Sequence, residues 1–281
     1  MEQIENRTYD EERALYGREG LTLRHCRFDG PADGESACKE CRDITVQDCY
    51  CNLRYPFWHV RGLRIRGTEM TPLCRAALWY SEDIEIADTK LHGIKALREC
   101  RGIRMTGCDI RSPEFGWSVS GLRMEDCYAE SEYFMMRAQD LVFRGLELHG
   151  KYSFQYIRNA VFENCVLDTK DAFWHAENVT VRNSTVRGEY LGWYSVGLHF
   201  ENCRITGTQP LCYCRGLRLD GCAMTDTDLC FERSEVEATI TTPVVSIKNP
   251  LSGSIRVPAV ESVIRDGAQW KGRVLLPDGE R

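Results

Sequence analysis

The chain has 281 residues and a formal net charge of −6, from 42 acidic and 36 basic side chains. Proteins that bind nucleic acids usually carry a basic stripe, so this balance argues against a nucleic-acid partner. The N-terminus has neither a basic start nor an apolar run, and no stretch approaches the length of a membrane span, so we expect no signal peptide and no membrane partner. Fifteen cysteines without a secretion signal predict a cytoplasmic protein with reduced thiols.

The first predicted element is an N-terminal cap over residues 1–20, with a short helix from Tyr9 to Gly17. From residue 21 onward one pattern repeats, and the first apolar residue of each copy is taken as position 0. From Ile84 every step is 19 residues, and Val236 and Ile255 continue the spacing with weaker similarity. The copies begin at Leu21, Ile44, Leu63, Ile84, Ile103, Leu122, Leu141, Ala160, Val179, Leu198 and Leu217.

Within each copy the apolar residues alternate with polar ones, which is typical of strands. Positions 0 and +2 are apolar, as in Leu63 and Ile65, and positions +4 and +18 hold Gly, Asp or Asn, which tolerate a sharp bend. We therefore predict three short strands and three turns per copy. This is an all-β, single-stranded parallel β-helix of about 12–13 coils, in which stacking buries the apolar face of each coil. We expect regular coils over 21–235, less regular ones over 236–281, and one domain in all.

Several motifs resemble those of an uncharacterised bacterial family, classed as a domain of unknown function with a pectin-lyase-like fold. They are ERALYG (12–17), GEYLGWYS (188–195), GTQPLCYC (207–214) and SIKNPLSG (246–253). The resemblance implies a right-handed helix with an Asn-rich turn between two of its strands, which matches position +4. It implies no activity.

The stretch CKECRDITVQDCYC (38–51) holds four closely spaced cysteines, as a metal site would. Most cysteines of the chain, however, fall on positions of the repeat. Seven cysteines share position +5, where a small buried side chain fits: Cys26, Cys49, Cys108, Cys127, Cys165, Cys203 and Cys222. A zinc site needs four converging ligands, and in this stretch only Cys38 lacks a position in the repeat. We therefore predict core packing, no metal and no cofactor.

Tryptophans recur at position +14, in Trp58, Trp117, Trp174 and Trp193, and in Trp79 once the two-residue insertion of its 21-residue coil is allowed for. They are candidates for a platform on which sugar rings stack. Alternation within a third strand favours the other interpretation, in which +14 points inward and +13 and +15 point outward. Arg98 occupies the same position, and a charge at an inward position needs a partner, for which Glu99 and Glu114 are candidates.

Position +15 then forms an outward face with aromatic, cationic and acidic side chains about 4.8 Å apart. The predicted ligand-binding residues are Arg137, Tyr156, His175, Tyr194, Tyr213, Glu99 and Arg98. Such a face suits a carbohydrate or a similar extended ligand. One alternative is a glycoside hydrolase or polysaccharide lyase with His175, Asp171 and Asp168 as catalytic residues. The other is a non-catalytic scaffold that forms homo-oligomers or docks a partner.

Overall fold

The computed structural model describes residues 2–280, which contain strands and turns but no helix. The chain divides into two compact units, Met1–Val142 and Phe143–Arg281. Each unit consists of stacked coils, and each complete coil carries a first strand over positions −2 to +3 and a second strand over about +6 to +8. The first strands are Glu2–Glu5, Glu19–Arg24, Arg42–Gln47, Arg61–Arg66, Glu82–Ala87, Arg101–Thr106, Ser120–Glu125, Gln139–Arg144, Arg158–Glu163, Glu177–Arg182, Val196–Glu201, Leu217–Thr225, Glu235–Ile240, Ser252–Arg256 and Arg273–Leu276.

The second strands are shorter and follow the turn at position +4. Leu217–Thr225 runs through this turn and serves as both strands of its coil. The second strands are Thr8–Tyr9, Arg27–Phe28, Tyr50–Cys51, Glu69–Met70, Lys90–Leu91, Asp109–Arg111, Tyr128–Glu132, Glu147–Lys151, Val166–Lys170, Thr185–Arg187 and Arg204–Thr206. Val244–Lys248 and Val260–Ile264 pair in parallel in a separate sheet. A final strand, Gly279–Glu280, pairs antiparallel with Arg273–Leu276. No helix in the described range is long and apolar enough to cross a membrane.

Strand pairing confirms the repeat. In the first unit Ile84 pairs in parallel with Ile103, which pairs with Leu122. In the second unit Val179 pairs with Ala160 and with Leu198 in the same way. Equal positions of successive copies therefore stack on one another, as a parallel β-helix requires. The division into a cap, regular coils and a C-terminal segment of one domain stays a prediction.

The predicted capping helix is wrong. Glu2–Glu5 pairs in parallel with Glu19–Arg24, and Thr8–Tyr9 pairs with Arg27–Phe28, so the N-terminal segment is already a coil. Residues 11–17 are turns. This segment and Arg273–Leu276 add coils beyond the predicted copies of the repeat.

The C-terminal register also differs from the prediction. Val236 pairs with Leu217 at the expected step, but its next partner is Gly253 rather than Ile255. Ile255 pairs with Ala238, which is a position +2 residue. Because both positions are apolar and inward, the slip keeps Ile255 fully buried and is invisible in the apolar pattern.

A third strand forms at Leu78–Trp79 and Leu97–Arg98, and Val244–Lys248 takes this place near the C-terminus, where Ile247 pairs with Cys230. In the coils that begin at Ile103 to Leu198, positions +11 to +16 form a tight turn in which φ is positive at every second residue, as at Asp171, Phe173 and His175 (54°, 61° and 54°). This backbone does not alternate side chains as a strand does. The prediction that +13 faces outward is wrong, because Phe173 is fully buried.

The core is filled by positions 0, +2, +5, +7 and by this turn. Phe154 stacks on Phe173 with ring centroids 5.3 Å apart, and Phe115 stacks on Phe134 at 5.5 Å. All fifteen cysteines are buried, which confirms that they pack in the core. Cys38, which has no repeat position, is fully buried beside Cys41.

Candidate functional site

A row of four stacked rings marks the second unit. Tyr156, His175, Tyr194 and Tyr213 occupy position +15 of successive coils, and we call them the ring ladder. The ring centroids are 4.9, 5.0 and 4.8 Å apart in that order, with interplanar angles of 5°, 10° and 13°. The outward direction predicted for position +15 is confirmed here, since Tyr156 and Tyr194 are each 45% exposed.

The backbone turn explains why the rings align. Each ladder residue has a positive φ between 54° and 62° and follows a half-buried or buried +14 side chain. Successive coils repeat this turn at the spacing of hydrogen-bonded strands, about 4.8 Å. Identical turns at this spacing hold flat side chains face to face, which is the stacking the ring ladder shows.

Stacking changes what the ring ladder offers a ligand. The faces of His175 are covered by Tyr156 and Tyr194, and those of Tyr194 by His175 and Tyr213. A sugar ring has no free face to lie on at these two positions. The ladder instead presents ring edges, and its tyrosines present hydroxyl groups that donate and accept hydrogen bonds.

A groove runs beside the ring ladder, with a volume of about 440 Å³. His175, Tyr194 and Tyr213 form one side, and Val196 and Leu251 contribute apolar surface, with 48% and 37% of each residue exposed. The remaining lining residues are Ser195, Arg215 and Arg233. Three of the residues predicted to bind a ligand therefore meet at one groove.

The charge of the groove is positive. Its lining contains no carboxylate, and within residues 2–280 neither Arg215 nor Arg233 forms an ion pair. The guanidinium of Arg233 lies over the rings of Tyr213 and Trp270, at 5.9 and 5.7 Å from their centroids. These two rings orient Arg233 at the groove through cation–π contacts.

Tyr213 stays a hydrogen-bond donor at neutral pH. Burial raises the pKa of its phenol above the ordinary value, and the Glu232 carboxylate raises it further. The hydroxyl group, which is neutral at pH 7 even at its ordinary pKa, therefore stays neutral over a wider range of pH.

The three predicted catalytic residues do not form one group. Asp171 is 7% exposed, and burial raises the pKa of its carboxyl, with the Glu189 carboxylate adding to the rise and Lys170 opposing it. Asp168 is exposed on a second strand, where Oδ2 lies 3.8 Å from Nδ1 of His149. No hydrogen bond or ion pair joins His175 to either aspartate among the described residues.

The remaining predicted binding residues, Arg98, Glu99 and Arg137, belong to the first unit, whereas the ring ladder belongs to the second. Arg98 lies between the rings of Trp79 and Trp117, and its Nε is 3.7 Å from Oε1 of Glu99. Glu99 is thus the partner that the sequence predicted, while the other candidate, Glu114, pairs with Lys95 at 3.4 Å. Arg137 is exposed at position +15.

The tryptophans at +14 are half-buried rather than inward, so that prediction is wrong. The core beside them is filled by positions +12 and +13, as by Ala172 and Phe173 next to Trp174. Sequence reasoning also missed Val196 and Arg215, which share position +17 and pair with each other. Position +17 lies only two residues after position +15, so the sequence could have identified these two residues. Leu251 and Arg233 lie where the repeat is less regular, and no sequence pattern identifies them.

The family model described as a protein of unknown function (DUF3737) matches residues 2–274. A comparison with proteins of curated function finds no match.

Solved structures resemble the chain in fold. A tailspike protein of E. coli bacteriophage HK620 matches 91% of this chain and 62% of its own, with 10% identity and a TM-score of 0.41. The mannuronan C-5 epimerase A-module AlgE6 of Azotobacter vinelandii matches 96% of this chain and 87% of its own, with 12% identity and a TM-score of 0.34. PfbA, a surface adhesin of Streptococcus pneumoniae, matches 94% and 72%, with 10% identity and a TM-score of 0.32. The chain thus spans less than two thirds of the tailspike's length.

Proposed function

The chain belongs to this family of unknown function, and we propose that it binds an extended carbohydrate along the ring ladder and its groove. The observation that carries the proposal is the composition of the groove, where the tyrosines of the ladder face the apolar surface of Val196 and Leu251. Carbohydrates have apolar C–H faces and a rim of hydroxyl groups. A groove of this kind can cover the former and hydrogen-bond to the latter.

The spacing of the ring ladder supports an extended ligand rather than a compact one. Tyr194 and Tyr213 present equivalent edges 4.8 Å apart, and Tyr156 adds a third on the same row. A polymer with a regular repeat can make the same contact several times along such a row. Weak individual contacts then add up, because they share one cost of immobilisation.

Binding without cleavage fits this groove better than catalysis does. Glycoside hydrolysis uses two carboxyl groups that flank the scissile bond, and the groove is lined by none. Asp168 is engaged with His149 instead, and Asp171 is buried. We therefore favour a binding protein over the hydrolase or lyase alternative.

We also propose that the protein works in the cytoplasm, where its fifteen thiols stay reduced. Its ligand there would be an oligosaccharide rather than a bulk extracellular polymer. The alternative that the sequence left open is that the exposed tyrosine row binds a second copy of the chain. Measuring the molar mass of the protein in solution alongside the binding assay tests it.

A glycan array followed by calorimetry tests the proposal. We expect wild-type protein to bind at least one oligosaccharide class, Tyr194→Ala to lose affinity by about tenfold or more, and Val196→Asp to do the same by placing a carboxylate in the groove. Tyr80→Ala is the matched control, since Tyr80 is an exposed tyrosine outside the groove and, like Tyr194, lies four residues before the next position 0. Failure of every glycan to bind, or equal binding by Val196→Asp, would refute the proposal. If the protein instead released new reducing ends from an oligosaccharide, it would be an enzyme rather than a binding protein.

A further inference from the structure

A second cluster of side chains lies on the first strands of the second unit, apart from the groove. His199 and Glu201 belong to Val196–Glu201, and Asp220 belongs to Leu217–Thr225, where it pairs with Glu201. Nε2 of His199 lies 2.7 Å from Oδ2 of Asp220 and 3.7 Å from Oε1 of Glu201. One ligand atom from each of the three residues lies within 4.8 Å of the other two. Among the described residues this is the one group of three such side chains with that geometry.

Two arginines hold the carboxylates in place. Nε of Arg182 donates to Oε2 of Glu201 at 2.5 Å, and Nε of Arg218 donates to Oδ2 of Asp220 at 2.7 Å. Within residues 2–280, Oδ1 of Asp220 accepts no hydrogen bond, and Oε1 of Glu201 contacts only His199. Each carboxylate is thus fixed by one oxygen and presents the other. Metal ligands are commonly oriented by outer hydrogen bonds of this kind.

The donor set and the charge select the class of ion. The charges of the Glu201 and Asp220 carboxylates are balanced by the guanidinium groups of Arg182 and Arg218. A cation is therefore held by its bonds to the ligand atoms rather than by net negative charge. Ca²⁺ and Mg²⁺ prefer sites made of oxygen ligands, whereas an imidazole nitrogen favours transition metals. The side chains of His199, Glu201 and Asp220 are 24%, 32% and 43% exposed, so their outer side is open to water.

We propose that His199, Glu201 and Asp220 bind a divalent transition-metal ion, with Zn²⁺ as the reference ion. The ion replaces the hydrogen bond between Nε2 of His199 and the Asp220 carboxylate, takes Nε2 and the uncommitted oxygen Oδ1 of Asp220 as ligands, and has Oε1 of Glu201 as its third protein ligand. Three protein ligands leave a position for water, as in zinc sites that are not purely structural. This site is independent of the carbohydrate-binding groove.

Calorimetry with metal-free protein and ZnCl₂ tests the site, with the absorption spectrum of the Co²⁺ form as a second readout. We expect one ion per chain, and about a tenfold or greater loss of affinity in His199→Ala and in Asp220→Asn. Asp220→Asn keeps the shape of the side chain, so it separates loss of a ligand from loss of folding. CaCl₂ and MgCl₂ should give no signal.

His92 provides the matched control, because its Nε2 lies 3.0 Å from Oδ2 of Asp109 without belonging to a group of three. His92→Ala should bind Zn²⁺ as the wild type does. The proposal is overturned if wild-type protein takes up no Zn²⁺ at millimolar concentration, if a folded Asp220→Asn variant binds unchanged, or if His92→Ala abolishes binding.

Discussion

The indole Nε1 of Trp174 donates a hydrogen bond of 2.6 Å to the carbonyl oxygen of Tyr190, one coil further along the chain. Trp193 makes the same contact with Gln209 at 2.8 Å, and Nε2 of Gln155 makes it with Asp171 at 3.1 Å. At these three residues the +14 side chain therefore donates a hydrogen bond to a backbone carbonyl of the next coil, which links the two coils. Gln155 interrupts the tryptophan pattern but keeps the hydrogen bond.

Trp174→Phe should destabilise the protein by about 1–3 kcal/mol, because the carbonyl of Tyr190 loses its partner. Trp58→Phe is the control, since Nε1 of Trp58 is buried without a hydrogen-bond partner in the described chain and its removal strands no acceptor. Urea unfolding of both variants measures the difference. Equal losses would show that the hydrogen bond contributes nothing beyond ring packing.

Arg98→Lys should cost about 1 kcal/mol in the free energy of unfolding. The planar guanidinium fits between Trp79 and Trp117, at 5.3 and 4.9 Å from their ring centroids, and an ammonium group cannot stack on both. Glu99→Gln should change stability by less than about 0.5 kcal/mol, because the ion pair is partly exposed. A larger effect of Glu99→Gln than of Arg98→Lys in urea unfolding would contradict this assignment.

Asp171→Asn should raise the melting temperature at neutral pH. Burial raises the pKa of Asp171 in the folded state above its unfolded value, so ionisation costs stability once the pH exceeds the unfolded pKa. The uncharged amide removes this cost, and Asn tolerates the positive φ of 54°. The gain over wild type should shrink as the pH falls through the folded pKa and vanish below the unfolded pKa of about 3.9, where the carboxyl is protonated in both states. Calorimetry across this range would count against the argument if the gain did not depend on pH.

The cysteines should react slowly in the folded protein. Burial raises the pKa of Cys49 to about 11 and those of Cys100, Cys214 and Cys230 to about 12. Only the thiolate is nucleophilic, so iodoacetamide near pH 8 should leave these four unmodified while the fold persists. All fifteen cysteines should react after denaturation. Mass spectrometry of native and unfolded samples makes the comparison, and rapid native alkylation of Cys100 would refute it.

The sequence by itself determined the stacking register of the 19-residue coils and the core positions 0, +2, +5 and +7. Because parallel coils pair residue by residue, a constant step of 19 places equal positions on one another, as at Val179 and Leu198. It also placed His175 and its tyrosine neighbours on one exposed row. The proposed metal site left a signal too, since His199 and Glu201 occupy alternate outward positions of one strand.

Only the tertiary structure decided what those rows present. Positive φ at alternate turn residues directs Phe173 inward and leaves Trp174 half-buried. The alternation of apolar and polar residues that marks a strand does not predict this arrangement. Stacking at one coil spacing covers the faces of His175 and leaves edges for a ligand. The groove depends on Leu251, from a coil whose step has slipped to 17 residues. A sequence repeat specifies which residues of successive coils stack on one another, because they occupy equal positions. Contacts between residues at unequal positions depend on the backbone dihedral angles of the turns.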